Sequence, residues 1–177
     1  LITCPAAYTV NNVADGGSGS LRQGIADLCA GGTIRFDGAR FATAQSIGLT
    51  SGPLTIDKDL TIDGAANGVV TPTISGPGSS CTLCFRVFTV DTGVQTTLHR
   101  LNITGGYDTD ATAGGILNAG VLTITQSAIF SNTEPGHSTG GIFQSGAESR
   151  LHLAESDIHH NDGDGIAANG GIVMVVR

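Results

Sequence analysis

The sequence predicts an all-β fold, a right-handed parallel β-helix in which short strands stack into successive coils. Three observations support this prediction. The Gly-Ile pair that ends at Ile116 recurs at Ile142 and Ile166, at steps of 26 and 24 residues. Within each unit, apolar residues alternate with polar ones over only three to five positions, which is the periodicity of a strand. No helical stretch of about ten residues fits between these runs, so repeats built from helices are excluded.

A second repeated unit predicts which side chains fill the core. The pattern Ile-x-x-Asn occurs at Ile129–Asn132 and again 29 residues later at Ile158–Asn161. A single unit of this size cannot bury its apolar face alone, so the units must stack, about 4.8 Å apart, with equivalent residues on top of one another. We expect aliphatic columns inside, stacked Asn at one corner, and glycines with positive φ at the corners. The structural repeat positions are Ile116, Ile124, Ile129, Asn132, Ile142, Leu153, Ile158, Asn161 and Ile166.

Composition limits the classes of function. The chain has 177 residues, no Trp, 27 Gly and a net charge of −7 with only 8 Lys and Arg, so we expect one elongated domain over residues 1–177. A charge of this sign with no basic stripe argues against nucleic acid as a partner. No apolar run of about 18 residues occurs, so the sequence predicts no transmembrane segment.

The N-terminal part is predicted to differ from the rest. Residues 1–32 form a cap with a helix at about residues 20–30, and residues 33–177 form the stacked coils. Ser20 to Gln23 has the spacing of a capping box, and Leu21, Ile25 and Leu28 fall on one helical face. We expect this helix to cover the open end of the stack, which otherwise exposes apolar side chains and unpaired backbone. The first residues lack the pattern of a signal peptide, so either one has been removed or the sequence begins after it.

The short apolar runs in the middle of the chain predict further coils, so that we expect five or six coils in the whole solenoid. The first strand of the stack is expected over Thr33–Phe36. Leu54–Ile56 and Leu60–Ile62 are predicted to be paired strands on either side of a turn at Asp57–Asp59. Thr71–Gly78 is rich in Pro and Gly and is predicted to be an irregular excursion.

Several stretches resemble a known group of proteins. The segments TVNNVADGGSGSLRQGIADLCAGGTIRFDG, LTIDKDLTIDGAANG and RVFTVDTGVQTTLHRLNITGG are similar to the start of large secreted bacterial right-handed parallel β-helix repeat proteins. The Gly-Gly-Ile and Ile-x-x-Asn units are similar to motifs of polymorphic outer membrane proteins and autotransporter-passenger-like solenoids. The resemblance extends from about Tyr8 to Gly171 and implies an extracellular or cell-surface location. It says little about chemistry, because such solenoids carry varied functions.

Four cysteines in a short, exported chain favour disulfides. Cys4 precedes the first strand and Cys29 follows the helix, so a bridge between them would fasten the cap to the N-terminus. Cys81 and Cys84 lie in a loop and would close a small ring. The alternative, a redox or zinc Cys-x-x-Cys motif, requires a βαβ unit or a second ligand pair, and neither is visible.

The sequence offers only poor metal candidates. His152 lies between two leucines and should face outward, whereas His159 and His160 should point to opposite sides, so a solvated surface is the better interpretation. The acidic loops have Asp-x-Asp spacing, but a calcium site needs about six to eight oxygen ligands. Turn chemistry explains these residues without a metal. Calcium therefore remains only as an alternative, with the candidates Asp108, Asp110, Asp162 and Asp164.

No residues are assigned to catalysis or to a cofactor. Glycoside hydrolysis needs two carboxylates across one cleft, and lyase chemistry needs a base beside a charge neutraliser. The few cations, such as Arg86, Arg100 and Arg150, are scattered. An ice-binding threonine array at Thr123 and Thr125 is also rejected, because the next coil replaces these residues with His152 and Ala154.

The sequence therefore predicts a non-catalytic extracellular or cell-surface module that serves as a stalk, adhesin or assembly unit. Its expected partners are a surface glycan, a protein receptor or other copies of itself. The alternative is a carbohydrate-active β-helix, either a polysaccharide lyase or hydrolase or a glycan-binding module. An assembly edge is predicted at the apolar C-terminal run that contains Ile172, Val173 and Val175. This run is explained by a longer parent solenoid, which we favour, or by axial docking onto another copy.

Overall fold

The computed structural model describes residues 4–65, 68–110, 112–136 and 138–177, which form a parallel β-solenoid of about 6 turns. The predicted fold class is therefore confirmed. In chain order the elements are β1 (Ala7–Val10), α1 (Leu21–Asp27), β2 (Gly32–Phe36), β3 (Ser46–Gly48), β4 (Leu54–Ile56), β5 (Leu60–Asp63), β6 (Thr73–Ser75), β7 (Phe88–Val90), β8 (Gln95–His99), β9 (Asn102–Thr104), β10 (Ile116–Asn118), β11 (Val121–Thr125), β12 (Ala128–Phe130), β13 (Thr139–Ser145), β14 (Arg150–Ala154), β15 (Asp157–His159), β16 (Asp164–Asn169) and β17 (Ile172–Val176).

The strands form three parallel sheets, and each complete coil gives one strand to each sheet. Sheet 1 contains seven strands in the order β1-β2-β5-β8-β11-β14-β17. Sheet 2 contains five strands, β4-β7-β10-β13-β16, and sheet 3 contains five, β3-β6-β9-β12-β15. The chain therefore passes sheet 2, sheet 1 and sheet 3 in turn, and each strand inside a sheet pairs with strands of the coils above and below it.

The register agrees with the repeats in the sequence. Ile116 pairs with Ile142, and Ile142 pairs in turn with Ile166. Ile129 pairs with Ile158 in sheet 3, and Ile124 pairs with Leu153 in sheet 1. These aliphatic columns point inward: all of the named positions except Ile158 and Ile166 are buried, and those two are half-buried and packed against the core.

One polar residue interrupts an inward column of sheet 1. Thr96 pairs with Leu60 and Leu122 and is 3 % exposed. Its hydroxyl finds no hydrogen-bond partner among the described residues. An unsatisfied buried hydroxyl costs about 1–3 kcal/mol, so this position is a local weakness of the core.

The predicted asparagine corner is confirmed. Asn132 is fully buried, and both its backbone N–H and its Nδ2 donate to Oδ1 of Asn161 in the next coil, at 3.1 and 3.0 Å. The same Nδ2 also donates to the carbonyl of Ile103 in the preceding coil at 3.2 Å, and Oδ1 accepts from the N–H of Gly106 at 2.9 Å. One side chain thus joins three successive coils.

The predicted role of the repeat glycines is confirmed in part: Gly146, Gly170 and Gly171 have positive φ, but the glycines that precede Ile116 and Ile142 serve a different purpose. Gly115 and Gly141 do not have positive φ; a Cβ on either would collide with a backbone carbonyl of the next coil, that of Gly141 or Gly165 respectively. They are needed because the backbones approach closely. Several tight corners also place non-glycine residues in the left-handed region, and these are Arg100, Gln126, Ser131, Glu155 and His160.

The predicted helix is present as α1, and its apolar face is buried through Leu21, Ile25 and Leu28. The Ser20 hydroxyl accepts a hydrogen bond from the backbone N–H of Gln23 at 3.1 Å. The Gln23 amide does not complete the capping box, because it donates to Asp27 at 2.7 Å. The stack begins earlier than predicted: β1 pairs with β2 in sheet 1, so the first strand precedes the helix.

Two predictions for the middle of the chain are wrong. The strands β4 and β5 do not pair with each other; they lie in sheets 2 and 1, and Asp57–Asp59 forms the corner between them. The expected excursion at Thr71–Gly78 contains β6, a strand of sheet 3. In both cases the hydrogen-bond partners come from other coils and not from the neighbouring segment of the chain.

The predicted disulfide pairing is confirmed. Cys4 is bonded to Cys29 and Cys81 to Cys84, with Cα–Cα distances of 5.1 and 5.2 Å. In the described ranges no cysteine is free. None of the helical residues in those ranges belongs to a helix long and apolar enough to cross a membrane.

The register predicts opposite outcomes for neighbouring substitutions. Ile124 is fully buried in the inward column, whereas Thr123 lies on the outward face of the same strand. Ile124→Asp should therefore destabilise the fold by roughly 4 kcal/mol or more, because it buries an unpaired charge. Thr123→Asp should lower the free energy of unfolding by less than about 1 kcal/mol. Chemical denaturation of both variants checks this, and equal losses would contradict the register.

Candidate functional site

The predicted assembly edge forms the exposed last strand of sheet 1. In β17, Val173 and Val175 continue the inward columns of Leu151 and Leu153. Their exposed fractions are 38 % and 58 %, whereas those of Leu151 and Leu153 are 1 % and 4 %. Ile172 is likewise exposed, at 52 %. Within the described residues, β17 has a paired strand on one side only.

The last strands of the other two sheets complete this surface. β16 ends sheet 2 and β15 ends sheet 3, each with a strand on one side only in the part of the chain described. Their inward residues, Ile166 and Ile158, are half-buried, whereas the equivalent residues one coil earlier are fully buried. We call the surface formed by β15, β16 and β17 the open end.

The opposite end of the stack differs from the open end in burial and in hydrogen bonding. Val10 of β1 is fully buried, and the N-terminal loop is held by the carboxylate of Asp15. Its Oδ1 accepts hydrogen bonds from Nε and Nη2 of Arg22 at 3.0 and 2.6 Å. Its Oδ2 accepts four hydrogen bonds from the backbone and hydroxyl groups of Thr50 and Ser51. This network joins the N-terminal loop, the helix and the segment before β4.

The environment of Asp15 favours its charged form. Partial burial acts to raise the pKa of Asp15, but the hydrogen bonds from Ser51, Arg22 and Thr50 and the charge of Arg22 outweigh it. They hold the pKa of Asp15 well below its usual range. The sequence does not reveal this network, because its members are up to 36 residues apart in the chain.

The four calcium candidates do not form one site. Asp108 is buried and ion-paired with Arg86, and its carboxylate also accepts hydrogen bonds from the N–H of Asp110 and the hydroxyl of Thr112, both at 3.1 Å. The side chains of Asp110 and Asp164 are exposed, and Asp162 is half-buried. Across the described ranges, no group of three or more His, Cys, Asp or Glu side chains is arranged to hold a metal ion.

A buried carboxylate that the sequence did not reveal lies one coil further along. Glu134 is 2 % exposed and accepts hydrogen bonds from the N–H of Gly136 at 2.9 Å and from the N–H and hydroxyl of Ser138 at 3.0 and 2.6 Å. Because Tyr107 pairs with Thr133, Asp108 and Glu134 occupy equivalent corners. Each carboxylate holds its own turn, as Asp commonly does in turns.

The predicted separation of His159 and His160 is wrong. Their Nδ1 atoms lie 2.6 Å apart, and the two rings meet edge to face. The ring of His159 also stacks on Phe130, with centroids 5.1 Å apart. His152 lies on the outward side of β14, between the buried Leu151 and Leu153, as predicted.

The outward face of sheet 1 carries a threonine column that the sequence did not reveal. Thr33, Thr61, Thr97 and Thr123 pair in sequence across β2, β5, β8 and β11. His152 follows Thr123 in this column, and the other three threonines precede it at sequence intervals that follow no single repeat. We call this set the threonine ladder.

These features define the protein as a parallel β-solenoid with one open end and one polar ladder on its longest sheet. No protein-family model, curated protein or solved structure matches the chain. The case for a function therefore depends on the geometry of these surfaces.

The Asp15 network predicts a loss of stability in acid. A carboxylate whose pKa is lowered by folding contributes stability that is present above its unfolded pKa, near 3.8, and is lost as the pH falls towards its folded pKa. Asp15→Asn should destabilise the chain by about 2 kcal/mol at pH 7 and by much less at pH 2. Denaturation midpoints measured from pH 7 to pH 2 check this. The exposed Asp110→Asn should leave the profile unchanged, and an equal effect of Asp15→Asn at both pH values would contradict the prediction.

Proposed function

We propose that this chain is a non-catalytic extracellular or cell-surface β-solenoid module that acts as a stalk, adhesin or assembly unit. The observation that carries the proposal is the open end, where the inward columns reach β17 without a covering layer in the described chain. An exposed strand edge with adjacent aliphatic side chains is a template for association.

The location is proposed on two grounds. Disulfides persist in oxidising compartments, and the chain contains two. The motifs that resemble secreted bacterial solenoids and autotransporter passengers favour the same location. The right-handed winding that we propose follows the strong preference of parallel crossovers, and α1 is proposed to cover the end of the stack opposite β17.

The open end is proposed to accept a further β-coil. A longer parent solenoid would supply such a coil within one chain, whereas in a solution of this chain alone a second copy would supply it. Because Val10 at the other end is buried, the apolar ends of two copies would meet each other. Such an isologous contact stops at a dimer, whereas a head-to-tail contact would propagate.

Charges in the inward columns of β17 should abolish this association. Val173→Lys together with Val175→Lys would place two ammonium groups in the contact. Removing these charges from water without an opposite charge to pair with is strongly unfavourable. Sedimentation velocity over a wide concentration range should show a dimer for the unmodified chain and a monomer for the variant.

A matched control uses the outward positions of the same strand. Met174→Lys together with Val176→Lys adds the same charge to β17 but leaves the inward columns intact, so association should largely persist. A dimer that survives the inward pair, or a chain that remains monomeric at high concentration, would overturn the assembly proposal.

The alternative of a polysaccharide lyase or hydrolase makes a distinct prediction. The buried carboxylates Asp108 and Glu134 accept hydrogen bonds within their own turns, and their residues are only 2 % exposed. We therefore expect no cleavage of pectin or alginate, with or without calcium, in assays for unsaturated products and reducing ends. A calcium-dependent rise in unsaturated products above a heat-denatured control would support the alternative instead.

A further inference from the structure

The threonine ladder is a regular array on an irregular chain. The number of residues between consecutive members differs at each step, yet the parallel register brings all four onto one outward column. Neighbouring strands lie about 4.8 Å apart, so the column presents hydroxyl groups at that interval. The regular spacing is a property of the fold that no local repeat in the sequence provides.

A groove runs along this ladder. It is lined by Thr61, Thr97 and Thr123 on one side and by Asp59, Gln95 and Val121 on the other, and its volume is about 260 Å³. At Val121 it meets a second groove that continues past Arg150 and His152. The two grooves together therefore cross successive strands, and they run parallel to the axis of the solenoid.

The hydroxyl groups of the ladder are free to bind a ligand. All four threonines are partly exposed, and none of their hydroxyls hydrogen-bonds to another group in the described ranges. A spacing of about 4.8 Å is well beyond the roughly 2.8 Å of a hydroxyl–hydroxyl hydrogen bond, so they cannot satisfy one another. Each hydroxyl can both donate and accept.

We propose that this groove binds a neutral linear polysaccharide laid along the solenoid axis. The hydroxyls that repeat along a sugar chain also donate and accept hydrogen bonds. They therefore complement a row of threonine hydroxyls better than a ligand that only accepts hydrogen bonds would. The net charge of −7 and the carboxylate of Asp59 at the rim disfavour an anionic polymer. An extended peptide lacks a strand to pair with here, since the interior strands of sheet 1 are already paired on both sides.

An ice surface is the other class of ligand that a row of threonines could bind. The adjacent outward column contains Arg35, Asp63 and His99, and Arg35 contacts Asp63 at 3.9 Å. The charged groups of Arg35 and Asp63 are strongly hydrated and lie beside the ladder, so the face is not a uniform array of hydroxyl and methyl groups. The concave, partly charged surface favours a sugar chain.

The inference relies on the proposed function only for its setting at a surface, because the four threonines lie on β2 to β11 and none of them belongs to the open end. The test is calorimetric titration of the purified chain with two probes, the hexamers of β-1,4-linked and α-1,4-linked glucose. We expect at least one hexamer to bind. The triple variant Thr61→Val, Thr97→Val, Thr123→Val keeps the shape of the ladder but removes three hydroxyls, and it should weaken binding by about tenfold or more.

Two controls separate the hydroxyls from the fold. Thr55→Val with Thr89→Val removes a stacked pair of threonines from the outward face of sheet 2 and should leave binding unchanged. Thr97→Ser keeps the hydroxyl and should retain binding. Equal melting temperatures and an unchanged sedimentation profile would show that the triple variant folds and assembles normally, so failure of this inference is distinguishable from failure of the assembly proposal.

Three outcomes would overturn the proposal. The first is that neither hexamer binds at millimolar concentration. The second is that binding survives the triple variant. The third is that the unmodified chain shapes ice crystals and that the triple variant abolishes this effect, which would assign the ladder to ice.

Discussion

The parallel hydrogen bonding between successive coils is the constraint on which the rest of the structure depends. Each interior strand pairs with the strands one coil before and one coil after it, so equivalent side chains stack in columns at intervals of about 4.8 Å. Most inward columns are then apolar; Asn118 and Gln144 continue one column of sheet 2 because their buried amides are hydrogen-bonded, and a corner column can repeat one polar contact. The aliphatic columns, the bonds between Asn132 and Asn161 and the threonine ladder are three results of this one arrangement. Thr96 is conspicuous because its hydroxyl lies in an inward column of sheet 1 without a hydrogen-bond partner among the described residues.

The corners are where the stack accommodates irregular sequence. Close backbone approach requires glycine at Gly115 and Gly141, whereas tight bends are tolerated at residues such as Gln126 and Glu155 despite their positive φ. Two of the longer turns from sheet 3 to sheet 2 contain a buried carboxylate, that of Asp108 or Glu134. Each carboxylate stabilises its turn by accepting hydrogen bonds from the residues two and four positions later. Loops of different length can therefore be inserted without moving the strands on either side.

The sequence predicted the parts of the fold in which the repeat is local and regular. The recurrence of Ile116 and Ile129 was sufficient to give the register of the last coils. It was insufficient at β4 and β5, because short apolar runs around Asp57–Asp59 look the same whether the chain turns back as a hairpin or bends at a corner. The candidate sites were predicted less well for a related reason. The threonine ladder and the Asp15 network combine residues whose separation depends on the lengths of the intervening loops, and a single sequence does not reveal how those loops align.

The stack also determines where recognition can occur. Interior strands use their backbone groups on both sides, so a ligand on a sheet face meets only side chains, and a partner that needs backbone pairing must approach a terminal edge. These two kinds of surface fall in different places on this chain, the threonine ladder on the face of sheet 1 and β17 at its end. Neither surface requires the other, since the ladder spans β2 to β11 and its nearest strand is separated from β17 by β14. In the functions that we propose, the threonine ladder would therefore bind its ligand on the face of sheet 1 while the open end is joined to another coil.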